Sequence, residues 1–394
     1  MTLRWAFPDS SEQDARAAVD SRIDAWWAAL TARRAELAAF LRGDSRFDVP
    51  SFISEQLSAI DSELCWELAP GAKPRLVISC EAERHLQPLV RRVVSRAPAE
   101  LGLELFDHRP AEPLQAALFK ARGQTGVDGA GWTVELSEQP YGMLELCWRS
   151  SRTDEKARHA AFVMTQTLLG EKTLPDWVAG VTVDAPPSIF SKLLGAGRPS
   201  ALSATSLSGR VEALKRSWLD RQADQPLLVS SRVGRDANWS LVRLEPQPAN
   251  DFPAQKDLQS ARTANVEFFM ATRSGAPFAS SRFSRFGETF LYVKTDGFGD
   301  DGFSNTLAIE EALDKALAEG HLGRAIGAGT GTRYSYVDLV VSDPARALER
   351  IVPVLRDGKL PRRAWILFFD DTLAAEWAGV WPETPPPPSF PASQ

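Results

Sequence analysis

Between Thr289 and Phe369 the hydrophobic period switches repeatedly between two and about 3.6 residues, and no other feature restricts the fold as strongly. Strand-type runs at Thr289–Thr295, Arg324–Gly327, Tyr334–Val341 and Ala364–Phe369 enclose helical stretches at Leu307–Glu319 and Ala345–Leu355. A helix with one apolar stripe and a strand with one apolar face must bury them against each other. The order βαββαβ therefore predicts a ferredoxin-like split βαβ unit over residues 288–371. Ser342 is expected as the N-cap of the second helix, with Asp343 in its first turn and Pro344 where a missing N–H costs nothing.

A related order runs through residues 71–190: strand Arg75–Cys80, helix His85–Arg96, strand Leu103–Phe106 and a short helix Leu114–Arg122. The runs WTVELSE and GMLELCW follow, around a turn at Gln139–Gly142, and then helix Asp154–Leu169 and strand Trp177–Val183. This is read as a first ferredoxin-like unit, repeated in architecture and not in sequence. Ahead of it, apolar residues from Val19 to Leu41 recur at spacings of three, four and seven, and a second helix starts after Asp48 and Pro50, giving a helical extension over residues 1–70. Residues 191–210, rich in Ser, Gly and Ala, are expected as a linker, and 211–381 as a second α+β domain with further strands at Ser240–Leu244, Val266–Ala271 and Phe278–Phe286. PETPPPPSFPASQ reads as a disordered Pro-rich tail over 382–394. The expected fold class is α+β, with two ferredoxin-like units.

Forty-five basic against 51 acidic residues give a net charge of −6, which argues against a protein living on phosphate contacts, so no nucleic-acid partner is expected. Long apolar stretches are interrupted by Arg, Glu or Asp, and MTLRWAFP lacks the apolar core of a secretory signal, so the expectations are no membrane and a cytoplasmic location. Cys65, Cys80 and Cys147 show no CxxC spacing and read as buried thiols, while Trp148, Trp177 and Trp365 fall in core positions.

The run from Gly323 to Thr332 is rich in glycine but follows a helix and enters a strand, the reverse of a phosphate-cradling loop. It reads as a hairpin turn, and no cofactor is expected. Asp296, Asp300 and Asp301 lie among glycines without the spacing of a calcium loop. In a split βαβ unit this loop and the turn carrying Arg333 and Tyr334 emerge at one sheet edge, so these five residues form the expected exposed binding surface. The same topology in the first unit gathers Glu81, His85, Asp107 and His108, a set able to hold a divalent metal or to serve as acid and base. No G-x-S-x-G serine elbow is present.

The segments APFASSRF, ETFLYVKTDG, IEEALDKAL and GAGTGTRYSYVDLVV resemble uncharacterised bacterial α+β domains of unknown function and, more distantly, the ferredoxin-like inhibitor proteins of bacterial ribonuclease E. That resemblance covers about Phe268–Asp343, implies a ferredoxin-like fold and action by binding, and carries over no catalytic residue. The expected function is a non-enzymatic bacterial binding protein that regulates or neutralises a protein partner, toxin immunity being one form. The alternative is a metal-assisted enzyme centred on Glu81, His85, Asp107 and His108.

Overall fold

The computed structural model describes residues 3–44, 46–71, 73–186, 201–230, 232–233, 237–299 and 301–388, a mixed α+β chain. It divides into two compact units, Ser11–Ser217, and Met1–Ser10 with Trp218–Gln394. Among the described residues no helix is long and apolar enough to cross a membrane.

The first unit opens with α1 (Gln13–Ala32), which buries Val19, Ile23, Trp26, Trp27 and Leu30. The helical recurrence from Val19 to Leu41 is broken at Arg33, where φ is −104°, and continues as α2 (Arg34–Leu41). In α3 (Val49–Ser58) the Asp48 side chain caps the first turn by accepting from the Ser51 N–H at 3.1 Å. The following strand, β1 (Cys65–Ala69), belongs to a segment read as helical. It pairs antiparallel with β2 (Arg75–Ser79), which pairs parallel with β3 (Glu104–Phe106) after helix α4 (Gln87–Ser95).

The strands expected in one ferredoxin-like sheet over 71–190 therefore fall into two sheets. β1 and β3 occupy both sides of β2, leaving no edge of it for the hairpin strands. After α5 (Leu114–Thr125), the hairpin strands β4 (Thr133–Glu138) and β5 (Leu144–Arg149) build a separate sheet. Helix α6 (Glu155–Trp177) then crosses over to β6 (Val178–Asp184), parallel to β5. β7 (Leu202–Ser203) completes the order β6-β5-β4-β7, and α7 (Leu207–Arg221) follows. Leu144, Leu146 and Trp148 alternate into the core against Ala160, Ala161 and Met164, and the Trp148 indole N–H donates to Thr165 Oγ1 at 2.8 Å. Cys80 is buried; Cys65 and Cys147 are half-buried free thiols.

In the second unit seven strands lie in the order β14-β13-β10-β12-β11-β9-β8, every pair antiparallel. They are β8 (Ser240–Arg243), β9 (Leu258–Thr263), β10 (Thr289–Thr295), β11 (Gly323–Gly331), β12 (Ser335–Val341), β13 (Ala364–Phe368) and β14 (Trp377–Gly379). Helices α9 (Thr306–Glu319) and α10 (Pro344–Asp357) cover one face over Leu291, Val293, Leu339 and Ile366. The cap of α10 is Asp343, whose carboxylate accepts from the Arg346 N–H at 3.1 Å; Ser342 Oγ instead donates to the Leu322 carbonyl.

Val266–Ala271 forms a short helix, α8, and not a strand. Its Val-Phe-Phe content favours strand, but the Asn265 side chain caps the Phe268 N–H at 2.9 Å and decides the local conformation. The Phe278–Phe286 stretch is likewise an irregular turn, which puts Phe278 and Phe283 into an aromatic cluster with Phe268, Phe290 and Phe369 on the second face of the sheet. The Pro-rich tail is anchored near its start: the Trp365 indole N–H donates to the Pro385 carbonyl at 2.6 Å, and Thr384 is buried, while Pro382, Glu383 and Pro386 are exposed.

Gly170 kinks α6 with φ 78° and ψ 161°, and a Cβ there would lie 2.9 Å from the Ala111 nitrogen and 3.1 Å from the Arg109 carbonyl oxygen. Gly170→Ala is expected to destabilise the chain by about 1–3 kcal/mol in chemical denaturation, the range for one forced backbone conformation.

Candidate functional site

β10 and β12 are buried along nearly their whole length, so the face opposite α9 and α10 carries polar side chains into the interior. Register places Tyr292 beside Asp338 and Lys294 beside Tyr336. Lys294 is fully buried. Its ammonium donates to the carbonyls of Phe252 and Ala254, the latter at 3.0 Å, and sits 4.1 Å from the centre of the Tyr334 ring. Those carbonyls belong to a loop with Asp251, Phe252 and Ala254 at φ 52°, 45° and 50°. The buried Asp257 carboxylate closes the loop, accepting from the N–H groups of Arg333 and Tyr334 at 2.9 and 2.8 Å and from the Tyr336 hydroxyl. Further along the same face, Gln255 bridges Arg273 and the buried Asp338, with hydrogen bonds of 2.6 and 2.7 Å.

At the rim, Arg333 donates to Asp251 and Asp296, each at 2.7 Å. Arg363 donates to the same two carboxylates at 2.8 and 2.9 Å, and the Tyr334 hydroxyl donates to Asp251 at 2.7 Å. Asp296, Arg333 and Tyr334 thus lie together in this ring, and Tyr334 is buried and not exposed, its hydroxyl held by Asp251. Asp301 is an exposed turn residue at φ 54°, and Asp300 lies outside the described residues. The ring's carboxylates and guanidiniums face one another, so its chemistry is that of a latch on the loop.

The glycines expected in a turn are strand residues of β11. A Cβ at Gly329 would meet Leu258 at 2.5 Å, and one at Gly331 would meet the Asp257 carboxylate at 2.2 Å, so their bareness makes room for the neighbouring strand and this carboxylate.

The four residues of the expected metal set fall into three separate pairings. The Arg109 guanidinium donates to Glu81 at 2.6 Å, and His85 Nδ1 lies 3.5 Å from Glu83. Asp107 and His108 pair with each other at 2.6 Å, which holds the Asp107 carboxyl below its ordinary range. Among the described residues no three His, Cys, Asp or Glu side chains are grouped to hold a metal ion.

Beside them the first unit carries a cleft of about 690 Å³ between the 109–112 segment, α5, α6 and β6. Its charged wall is chained: Lys120 donates to Glu67 and Glu112 at 2.9 and 2.7 Å, Arg75 pairs with Glu112 at 2.9 Å, and Arg109 approaches Glu67 at 3.5 Å. The kink at Gly170 turns Glu171 toward this wall, where it accepts from the Arg109 N–H at 2.9 Å, and burial pushes its carboxyl above the usual range. On the opposite side Phe162 is 46% exposed and β6 runs as the terminal strand of its sheet. Glu67, Arg109, Glu112, Lys120 and Glu171 carried no local motif in the sequence. They converge only because β1 exists and α6 kinks.

In comparisons with known proteins, no family model, curated protein or solved structure matches this chain.

Ionised Glu171 opposes folding above the ordinary carboxyl range near 4.5, because the unfolded chain releases a proton that the folded one retains. Glu171→Gln, whose carbonyl still accepts, is therefore expected to raise the melting temperature near pH 7, with the difference shrinking toward pH 4. In the second unit, burial lowers the Lys294 ammonium from 10.5 to about 8, raises the Tyr334 phenol to about 12 and pushes the Tyr292 and Tyr336 phenols further above their usual range. Between pH 8 and 10.5 the unfolded chain holds the lysine proton that the folded one loses, so this contribution to stability rises with pH. Beyond pH 10 the tyrosines reverse it, since the unfolded phenols ionise first. Tyrosinate absorbance followed together with circular dichroism should show these three phenols ionising only as the chain unfolds, and Lys294→Met should abolish the gain between pH 8 and 10.

Proposed function

We propose that the chain is a cytoplasmic binding protein that regulates or neutralises a protein partner, and that the partner docks along the cleft of the first unit. One observation carries this reading: the cleft is bordered by β6, whose outer main-chain groups have no strand partner among the described residues. A terminal strand of this kind offers main-chain hydrogen bonds to an extended segment of another protein, and the half-exposed Phe162 supplies apolar contact beside it. The chained charges on the far wall would fix register and reject partners of the wrong charge pattern. In this reading residues 288–371 form a ferredoxin-like unit. The spatial order β13-β10-β12-β11 supports it, since that is the order a split βαβ unit takes when its four strands are numbered along the chain.

The test is capture of partners from the source cells at physiological salt with the tagged chain and two variants. Phe162→Asp alters a half-exposed ring, and Gly180→Arg fills a position on β6 with nothing within 4 Å of a would-be Cβ. A protein recovered at near-equal amount with the parent chain, and reduced about tenfold or more by either variant, is the expected result. Equal recovery with both variants, or no stoichiometric protein at all, would overturn the reading.

A further inference from the structure

The second unit contains a cavity of about 520 Å³ that the latch does not use. It lies between the segment following α7, the Ala264–Glu267 turn that starts α8, and the aromatic cluster. Its floor is apolar, formed by Leu227, Phe283, Phe290 and Ile326, all buried. Among the described residues its lining carries two guanidiniums, Arg221 and Arg232, and one carboxylate, Glu267. A volume of this size, with an apolar floor and several polar groups in its lining, suits a small molecule that has both an apolar and a polar part.

A second, independent observation points to a ligand. Gln222 lines this cavity and is only 5% exposed, yet its side-chain Nε2 is buried without a hydrogen-bond partner among the described residues. A buried amide nitrogen is nearly always satisfied, because an orphaned donor loses its water and gains nothing in exchange. Here the missing partner is an acceptor, and the excess of positive charge in the lining favours an anionic one.

We propose that this cavity binds an amphiphilic monocarboxylate, a small molecule with one carboxylate head and an apolar body. The Gln222 amide turns its Nε2 toward the head and donates to it, the guanidiniums of Arg221 and Arg232 supply the counter-charge, and the apolar body lies on Phe283, Phe290 and Ile326. The head satisfies the orphaned donor, and the body covers the apolar floor.

Sodium octanoate titrated into the full chain by isothermal calorimetry is the probe, with octan-1-ol as the same body without the charge. Saturable binding at one site is expected for octanoate and much weaker binding for the alcohol. Gln222→Met and Arg232→Ala should each weaken octanoate by about tenfold or more, the loss of one charge-assisted contact. Gln222→Met should also melt above the parent chain when no octanoate is present, since it removes an unsatisfied buried group. A Gln222 with a purely structural hydrogen bond would move the other way. Arg232 is exposed and its guanidinium donates only one hydrogen bond among those described, to the Arg221 carbonyl at 3.1 Å, so circular dichroism of Arg232→Ala is expected to match that of the parent chain. No saturable octanoate binding, equal binding of octanol, or undiminished affinity in the Arg232→Ala variant would each overturn the proposal.

Discussion

The second unit depends on placing one ammonium group inside a protein. Lys294 projects from the middle of a seven-stranded sheet into a space without bulk water, where an unpaired charge would cost several kcal/mol. The cost is offset by two backbone carbonyls and an aromatic face. The carbonyls are available only because three residues of the 251–254 segment accept left-handed backbone angles. Asp257, Tyr336 and the Arg333–Arg363 ring then hold that segment in place. Loop, lysine and ring are therefore mutually dependent: the strained backbone persists because the charge needs it, and the charge is tolerated because the backbone is strained.

The parts of this architecture legible in the sequence are those where periodicity reports burial directly. Strands β10, β12 and β13 and helices α9 and α10 were readable within a few residues, since Leu291, Val293, Leu339 and Ile351 keep the spacing of a face covered by helices. The second face was not readable. In the run LYVKT, Tyr292 and Lys294 occupy the positions a one-sided sheet would give to solvent, and nothing local says that the aromatic cluster and the 251–257 loop cover them. Val266–Ala271 was misread for a related reason: strand propensity in an isolated run is weaker than one side-chain cap from Asn265. β1 was missed because five half-buried residues between a helix and a Pro-Gly turn have no clear period.

The candidate sites followed the same division. Asp296, Arg333 and Tyr334 were brought together by topology that the sequence could supply, while Asp251, Asp257 and Arg363 entered from loops that carry no signal of their destination. In the first unit, gathering Glu81, His85, Asp107 and His108 assumed one sheet. The strands that lead to them, β2 and β3, do pair directly, but Arg109 takes Glu81 and Asp107 pairs with His108; the second sheet built by the hairpin strands leaves a cleft whose walls come from β1, α5 and the far side of a kinked helix. Long-range placement, and not residue chemistry, is what local patterns lack.

The Glu376 carboxylate accepts from the main-chain N–H groups of Trp5 and Phe7, at 2.7 and 3.0 Å across sequence separations of 371 and 369 residues, and Phe7 stacks on Phe368 at 4.4 Å. The segment around Trp5 and Phe7 thus finds its partners far along the chain, at Glu376 and Phe368. Ser11–Ser217 can fold during translation, but the segment around Trp5 and Phe7 stays unsatisfied until Glu376 has been made. A chain stopped short of Glu376 consequently leaves the segment around Trp5 and Phe7 undocked.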